Sequence, residues 1–264
     1  MVSILDKIIE FKKKEVKALK KKKSLQNLKK EIGKLPKKKP GFLKRLKVKK
    51  GIAVIAEIKR KSPSKGLLCR DFKPIRIAKE YEAAGAKALS VLTDRKFFGG
   101  SVEVLHKVKR AVRLPILRKE FIVDEYQLFE SRFMGADAVL LIAGALSFEE
   151  LQRFSLTAER LGLDVLFEVH TMEDIKKILP LRPKLVGINN RDLNSFCVNT
   201  RATTRLIKFL PKKTFVVSES GIKNHQDLVY LQSFGVGAVL VGESLMKQKK
   251  PGAALKKLLG NRGG

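Results

Sequence analysis

A carboxylate and several cationic side chains lie close together in one short stretch of the chain, residues 55–66. This stretch contains Glu57, four Lys or Arg residues and two serines, and it directly follows an apolar run that is typical of a β-strand. Because side chains alternate across a strand, Glu57 and Lys59 project from the same face at its C-terminal end. Pro63 and Gly66 then interrupt the strand and form a polar loop. The segment offers an acid and a base for proton transfer, although a salt bridge on an edge strand would have the same sequence pattern.

Other short apolar runs along the chain also end in polar side chains. Alternation puts Lys119 on the face of Leu117, and it puts Glu168 on the face of Leu166. If the two leucines fill a core, both polar groups therefore point inward at a strand end. Counting every such run, the polar residues at strand ends are Glu57, Lys59, Ser62, Thr93, Asp94, Lys119, Glu120, Glu168, His170, Asn189, Asn190, Arg191, Ser218, Glu219, Ser220, Gly242 and Glu243.

Two late segments, residues 218–222 and 241–246, are typical of a phosphate site. Backbone N–H groups at Gly221, Gly242 and Glu243 suit a phosphate dianion, particularly if a short helix begins at Ser244 within the second segment. A glycine in one such turn is most simply explained by the turn itself. The occurrence of both segments after neighbouring strands favours phosphate binding.

The elements that must position these groups alternate regularly. The pattern predicts strands at 52–58, 87–92, 115–120, 137–142, 163–168, 184–189, 214–219 and 237–242, with helices at 74–84, 101–112, 124–135, 148–161, 171–179, 200–210, 224–234 and 251–259. Strands that are apolar almost throughout indicate a parallel sheet covered on both faces. We therefore expect an α/β fold, a single (β/α)8 TIM barrel, whose C-terminal strand ends form the working face. A doubly wound open sheet is the alternative, but its glycine fingerprint is absent after the first strand.

An additional segment precedes the barrel. Residues 3–31 have apolar positions at helical spacing among lysines, with Ser3 as a candidate N-cap, and they predict one or two amphipathic helices. Glycines and prolines between residues 33 and 41 interrupt this pattern. We therefore divide the chain into a basic helical extension, 1–50, and the barrel itself, 51–264.

The charge of the chain is strongly positive. Its 264 residues include 57 Lys or Arg and 26 Asp or Glu, a formal net charge of +31, and residues 1–50 hold 20 of the basic and 4 of the acidic residues. Such charge attracts phosphorylated small molecules, RNA or anionic membranes. No nucleic-acid reading motif accompanies it, so a lysine-rich solvated surface is the preferred interpretation and nucleic acid is not the expected partner.

Cysteine and histidine usage points away from metal chemistry. Cys69 and Cys197 form no Cys-x-x-Cys pair, so no disulfide framework or zinc site is expected. His106 and His225 fall in predicted helices, where surface or capping roles are expected, whereas His170 could orient Glu168 or bond to the backbone. The N-terminus lacks a signal-peptide pattern and no apolar run is long enough to span a bilayer. A cytoplasmic protein without a membrane partner or a metal is expected.

Seven motifs follow one another along almost the whole chain. They are Glu-x-Lys-x-x-Ser-Pro-Ser-x-Gly at 57–66, Leu-Thr-Asp-x-x-Phe-Phe-x-Gly-Ser at 92–101, Leu-Arg-Lys-Glu-Phe-Ile-Val-Asp-x-Tyr-Gln at 117–127, Phe-Glu-Val-His at 167–170, Gly-Ile-Asn-Asn-Arg-Asp-Leu at 187–193, Ser-Glu-Ser-Gly-Ile at 218–222 and Val-Gly-Glu-Ser-Leu-Met at 241–246. Together they resemble the indole-3-glycerol phosphate synthase family of tryptophan biosynthesis. The first motif is distinctive, whereas Ser-Gly-Ile and Gly-Glu-Ser are shared among phosphate-binding barrels.

The resemblance implies a reaction and a set of roles. Members convert 1-(2-carboxyphenylamino)-1-deoxyribulose 5-phosphate into indole-3-glycerol phosphate, releasing carbon dioxide and water without cofactor or metal. In this family the N-terminal extension caps the barrel and contributes to the substrate pocket. By resemblance, Lys119 is the general acid for ring closure, Glu168 is the acid/base for dehydration, and Lys59 anchors substrate anions and could share the acid role. The resemblance also implies that Glu57 and Asn189 position the anthranilate part and the hydroxyls, and that Arg191 contacts Glu57 or the substrate carboxylate. The remaining implied substrate contacts are Ser62 with that carboxylate, Glu219, and the phosphate-binding residues Ser220, Gly221, Gly242 and Glu243.

The environment of Lys119 carries a separate expectation. Surrounding cations and apolar walls would lower its pKa and allow it to donate a proton near neutrality.

Two positions depart from the family pattern, Gly99 in place of a common Gln and the loop around Cys197 and Asn199, where acidic residues are more common. Neither departure removes an assigned chemical group, but together they could change loop mobility.

Two other functions compete with this assignment. A sugar-phosphate isomerase barrel would share the phosphate site, but it would present a Cys and Asp pair or two aspartates where this chain presents lysines. A basic RNA-associated barrel would use the lysine-rich N-terminus.

A monomer is expected, and because the chain ends after the eighth helix, no fused phosphoribosylanthranilate isomerase barrel is expected.

Overall fold

The computed structural model describes residues 3–192 and 197–260, and within them eight parallel strands close into a barrel. Each strand pairs with its sequence neighbours, and the ring closes where β1 pairs with β8, with Ala53 opposite Ala238. The predicted (β/α)8 barrel is therefore confirmed, and every strand begins and ends within a residue or two of its predicted limits. The barrel strands are β1 (Ala53–Ile58), β2 (Ala88–Leu92), β3 (Ile116–Lys119), β4 (Ala138–Ile142), β5 (Asp164–Val169), β6 (Leu185–Asn189), β7 (Phe215–Glu219) and β8 (Ala238–Val241).

Alternation along each strand separates two apolar layers. In β1, Val54, Ala56 and Ile58 pack against the surrounding helices, whereas Ala53 and Ile55 face the interior of the barrel. Glu57 has the parity of the interior residues, so the strand delivers its carboxylate to the inside. The interior cluster is formed by residues from all eight strands, among them Ala88, Leu117, Leu140, Leu166, Leu185, Val217 and Leu240.

Helices follow the strands as predicted, and polar caps begin several of them. Ser147, Thr171 and Asn224 each form a reciprocal capping box, which satisfies two free backbone donors at the helix start. The helix predicted at 200–210 is shorter and ends in a 3-10 turn, Ile207–Phe209. The helices around the barrel are α4 (Pro74–Ala84), α5 (Val102–Ala111), α6 (Tyr126–Phe133), α7 (Phe148–Arg160), α8 (Met172–Ile178), α9 (Arg201–Leu206), α10 (His225–Ser233), α11 (Glu243–Met246) and α12 (Pro251–Leu258).

Three helices precede the barrel: α1 (Ile4–Lys22), α2 (Leu25–Gly33) and α3 (Phe42–Leu46). Ser3 caps α1 as predicted, in a capping box with Asp6. The sequence did not predict α3, because five residues are too few to show a helical period. Phe42 and Leu46 of α3 are fully buried among the residues at the N-terminal ends of the strands. This helix therefore closes the end of the barrel that lies opposite the working face.

The first helix reaches the other end of the barrel. Val16 of α1 and Leu28 of α2 pack on Val123 and Tyr126. Lys12 of α1 is almost fully buried, and its ammonium pairs with carboxylates at the ends of β2 and β3. A short antiparallel hairpin, 61–62 with 66–67, was not predicted and shapes the loop after β1. Within the described residues, no helix is both long and apolar enough to cross a membrane.

Candidate active site

A cavity of about 930 Å³ opens at the C-terminal ends of the strands. All the residues singled out as catalytic or substrate-binding line it, although they come from the ends of six different strands. They are Glu57, Lys59, Ser62, Lys119, Glu168, Asn189, Arg191, Glu219, Ser220, Gly221, Gly242 and Glu243.

Lys119 lies at the centre of the charged groups on the cavity floor. It is the last residue of β3, and its Nζ lies 2.5 Å from Glu168 Oε2 and 2.6 Å from Glu219 Oε2. Glu168 comes from β5 and Glu219 from β7, and both carboxylates are buried. Closure of the barrel is what brings these three side chains together, because they are far apart in the sequence.

The expected lowering of the Lys119 pKa is wrong. Burial favours the neutral amine, but the carboxylates of Glu168, Glu219 and Glu57 outweigh this effect and raise the pKa of Lys119 above its ordinary value. Other cations and apolar walls were expected around the ammonium, whereas the structure surrounds it with anions from other strands. Lys119 is therefore held in its charged form at neutral pH.

Glu168 makes a separate set of contacts through each of its two oxygens. Oε2 accepts from Lys119, and Oε1 accepts from Asn189 Nδ2 at 3.2 Å and faces His170 Nε2 at 3.5 Å. Burial raises the pKa of this carboxyl, but Lys119, His170 and Asn189 more than compensate and lower it below the usual value for Glu. Glu168 is thus an ionised base with a cation on one oxygen and an imidazole near the other.

Glu219 has a more central position than the sequence indicated. Burial, opposed by Lys119 and reinforced by Glu168, raises the pKa of Glu219 to about 7. A methyl group at Gly187 would lie 2.2 Å from its Oε1, so only glycine leaves room for this carboxylate. The alternation in β7, with Val217 facing inward, was the available signal for the orientation of Glu219, whereas nothing in the sequence revealed the need for Gly187.

Glu57 and Lys59 form the second charged pair of the cavity. Lys59 Nζ lies 2.6 Å from Glu57 Oε1, as expected from their projection to the same side, although β1 itself ends at Ile58. Ser90 Oγ lies 3.4 Å from the other oxygen of Glu57. Gly242 packs closely on the same carboxylate, since a Cβ there would be 2.5 Å from Glu57 Oε1.

Arg191 links two loops at the mouth of the cavity. Its guanidinium pairs with Glu243 Oε2 at 2.9 Å and lies 3.5 Å from Ser64 Oγ. Its backbone N–H donates to Asn189 Oδ1. Either Glu57 or the substrate carboxylate was expected to contact Arg191. The structure shows that Glu243 also pairs with Arg191.

The two segments expected to bind phosphate lie side by side at the rim. Ser220 and Gly221 both adopt positive φ, 68° and 84°, and a Cβ at Gly221 would collide with Thr200 and Val198. Gly242 caps the short helix α11, which begins at Glu243 rather than at the following serine. Ser62 Oγ is buried at the cavity and has no hydrogen-bond partner among the described residues, so it is available to a ligand.

An apolar wall faces the charged floor. Phe98 and Phe121 line the cavity with ring centroids 6.0 Å apart, together with Leu140, Ile142 and Leu240. Both phenylalanines fall within the family motifs, but nothing in the sequence indicated a role for them. Among the residues described, no group of three or more His, Cys, Asp or Glu side chains could hold a metal ion.

Comparisons with known proteins identify the family to which the chain belongs. The family profile for indole-3-glycerol phosphate synthase matches residues 5–258. The indole-3-glycerol phosphate synthase of Caldanaerobacter subterraneus is 48% identical over 244 residues, covering 92% of this chain and 93% of that protein. The one from Desulfotalea psychrophila is 45% identical over 259 residues, covering 98% and 99%.

Solved structures of lower identity share the fold alone. Thiamine phosphate pyrophosphorylase from Pyrococcus furiosus superposes with a TM-score of 0.60 at 14% identity, covering 82% of this chain and 96% of that one. KGPDC from Streptococcus mutans gives 0.61 at 11% identity, covering 80% and 97%. On the family match and the close relatives together, the chain belongs to the indole-3-glycerol phosphate synthase family, the carboxy-lyases that form indole-3-glycerol phosphate in tryptophan biosynthesis.

Proposed function

We propose that Lys119 and Glu168 carry out the proton transfers of the family's reaction in this chain. The substrate, 1-(2-carboxyphenylamino)-1-deoxyribulose 5-phosphate, closes a ring, loses carbon dioxide and then loses water. The single observation that carries the proposal is the contact of 2.5 Å between Lys119 Nζ and Glu168 Oε2 on the cavity floor.

Lys119 is the general acid of ring closure. As the aromatic carbon attacks the ketone, the ketone oxygen develops alkoxide character and becomes far more basic than the ketone itself. An ammonium with a raised pKa is fully protonated when the substrate arrives, and it can still donate to an oxygen of that basicity. The enclosing carboxylates hold its proton at a fixed point, which favours transfer in one direction.

Glu168 is the acid/base of dehydration. Loss of water requires one proton to leave a carbon and one proton to reach the departing hydroxyl. Glu168 is ionised and buried, so it can accept the first proton. After ring closure Lys119 is a neutral amine, and its contact with Glu168 lets that proton pass to it. The restored ammonium then protonates the hydroxyl.

The remaining cavity residues bind and orient the substrate. Lys59 anchors substrate anions, and Glu57 and Asn189 hold the anthranilate part and the hydroxyls. Arg191 and Ser62 contact the substrate carboxylate, and Phe98 and Phe121 offer an apolar surface to the aromatic ring. Glu219 holds Lys119 in place from the side opposite Glu168. The phosphate binds at the rim to Ser220, Gly221, Gly242 and Glu243, mainly through backbone N–H groups because the Glu243 side chain is itself an anion.

Single substitutions test the two central assignments. Lys119→Ala and Glu168→Gln should each lower kcat by at least about a hundredfold. The fluorescence of the indole product measures the rate. Lys13→Ala changes an exposed lysine of α1 and serves as the matched control, with unchanged turnover. Near-normal turnover of either cavity variant, with the fold intact by circular dichroism, would contradict its assigned role.

The setting of the reaction is part of the same proposal. We expect the protein to act in the cytoplasm, as a monomer, on its small phosphorylated substrate without a metal or a cofactor. Light scattering of the purified chain tests the monomer, and full activity after extensive dialysis against EDTA tests independence from metals. Activity that is lost on dialysis and restored by one divalent cation would overturn the second statement.

A further inference from the structure

The net reaction consumes one proton in every turnover. The substrate carries a carboxylate and a phosphate, whereas the product keeps only the phosphate because the carboxylate leaves as neutral carbon dioxide. Within the site, two protons go to the former ketone oxygen, first to make the hydroxyl and then to release it as water. One proton comes back from carbon to Glu168. The Lys119 and Glu168 pair therefore runs short of one proton, which must come from solvent.

A partly exposed histidine, His170, lies next to this pair. His170 directly follows β5, and its Nε2 lies 3.5 Å from Glu168 Oε1, the oxygen that does not contact Lys119. Nε2 is buried and has no hydrogen-bond partner among the described residues, while 12% of the side chain remains exposed. The backbone N–H of His170 donates to Asp174 Oδ2 at 2.9 Å, which fixes the residue against the start of α8.

The facing atoms determine which ring nitrogen carries the hydrogen. A carboxylate oxygen and an unprotonated ring nitrogen would present lone pairs to each other, so Nε2 carries the hydrogen while Glu168 is ionised. Nδ1 is then the acceptor. The charged groups around the imidazole are Glu168, Lys119 behind it and Asp174 of α8. The Nε2–H group of the ring thus faces Glu168, the proposed base, and Nδ1 is the ring atom that can take up a proton from water.

We propose that His170 supplies the missing proton, a role that rests on the proposed function of Glu168. Water protonates Nδ1, and the Nε2 proton passes to Glu168 Oε1. The proton that Glu168 took from carbon lies on Oε2 and passes to Lys119 Nζ in the same step, so the carboxyl stays neutral. One proton enters the ring and one leaves it, and the starting tautomer returns by exchange with water after product release. His170 thereby connects the buried pair to solvent while the substrate fills the cavity.

The test replaces the imidazole with a group that donates a hydrogen bond but does not relay a proton. His170→Gln should lower kcat about tenfold with little change in KM. Added imidazole should restore most of the lost rate in this variant and leave the wild-type rate unchanged. His106→Gln, which changes an exposed histidine of α5, is the matched control. His170→Asn is measured in the same way and takes the place of the glutamine variant if that variant does not fold.

Each outcome has a definite meaning. A wild-type rate in the His170→Gln variant from pH 6 to pH 9 would overturn the relay. A reduced rate that added imidazole does not restore would also overturn it, because such a loss indicates a purely structural role of His170. Glu168→Gln is measured alongside. If Glu168→Gln retains normal turnover, the proposed function of Glu168 itself is wrong. If Glu168→Gln is inactive while His170→Gln is normal, only the relay fails.

Discussion

Removing the buried ammonium of Lys12 should destabilise the fold far more than removing a surface lysine. Lys12 Nζ lies 3.1 Å from Asp94 Oδ2 and 3.0 Å from Glu120 Oε1, and it also pairs with Glu15. The side chains of Lys12 and Glu120 are each only 3% exposed, and that of Asp94 is fully buried. The substitution Lys12→Met keeps the length of the stem and leaves two buried carboxylates without their cation.

The magnitude follows from what remains around the two anions. Loss of one partner from a buried ion pair costs about 3–5 kcal/mol. Asp94 keeps two backbone donors, the N–H groups of Phe97 and Phe98, and Glu120 keeps Thr93 and the more distant Arg118. Because these groups still solvate the anions, we expect the lower end of that range, about 3 kcal/mol.

The pH dependence of this contribution has a definite sign. Burial alone would lower the pKa of Lys12, but Glu120, Asp94 and Glu15 outweigh it and raise the pKa above its ordinary value. A raised lysine pKa stabilises the fold fully below the ordinary lysine pKa, and this stabilisation is lost only as the pH rises through the folded value. The loss on substitution should therefore be the same at pH 6 and pH 8.

Urea unfolding followed by circular dichroism measures the effect. Lys14→Met is the matched control, because Lys14 also lies in α1 and pairs with Glu10 at 2.9 Å, but on the exposed face. Its unfolding midpoint should stay at the wild-type value. Adding Glu120→Gln to Lys12→Met should recover part of the loss, because it removes one of the stranded charges. A loss below about 1 kcal/mol for Lys12→Met, the size expected of a surface pair, would refute the reasoning.

Three further substitutions test the arrangement of the cavity floor and rim. Gly187→Ala places a methyl group against Glu219 and should lower kcat about tenfold while the unfolding midpoint changes little; normal turnover would show that Glu219 need not contact Lys119. Glu219→Gln removes one of the carboxylates that raise the pKa of Lys119, so the alkaline limb of the kcat/KM profile should move to lower pH; a limb that does not move contradicts this coupling. Gly221→Ala strains a backbone with φ of 84° and crowds Thr200, so KM should rise severalfold with little loss of kcat; an unchanged KM would exclude this turn from phosphate binding.

The elements that the sequence predicted well are those whose signal is local. Each barrel strand is a short apolar run bounded by polar or turn residues, and each runs within a residue or two of its predicted limits. Alternation within a strand also placed Glu57 beside Lys59 correctly. The hairpin of residues 61–62 and 66–67 and helix α3 were missed because each is too short to carry a period.

The features that could not be predicted depend on residues distant in the chain. The pKa of Lys119 is set by Glu168 and Glu219, which β5 and β7 bring to it only when the barrel closes. The sequence shows many lysines in the extension, and nothing local distinguishes Lys12, the buried one, from its exposed neighbours. Likewise, the steric requirement at Gly187 exists only because a carboxylate from the next strand occupies that space.

The distribution of charged side chains in the cavity can orient the substrate. Three buried glutamates, Glu57, Glu168 and Glu219, occupy the interior against the two ammonium groups of Lys59 and Lys119. With Glu219 ionised, above about pH 7, the carboxylates of the floor outnumber its ammonium groups, so the floor repels the substrate's carboxylate and phosphate and admits its uncharged ketone. The anions then bind to Lys59, Arg191, Ser62 and the backbone donors at the rim, as proposed above. A cavity floor that excludes anions from the surroundings of Lys119, the proposed proton donor, can thus orient a highly charged substrate before any chemical step begins.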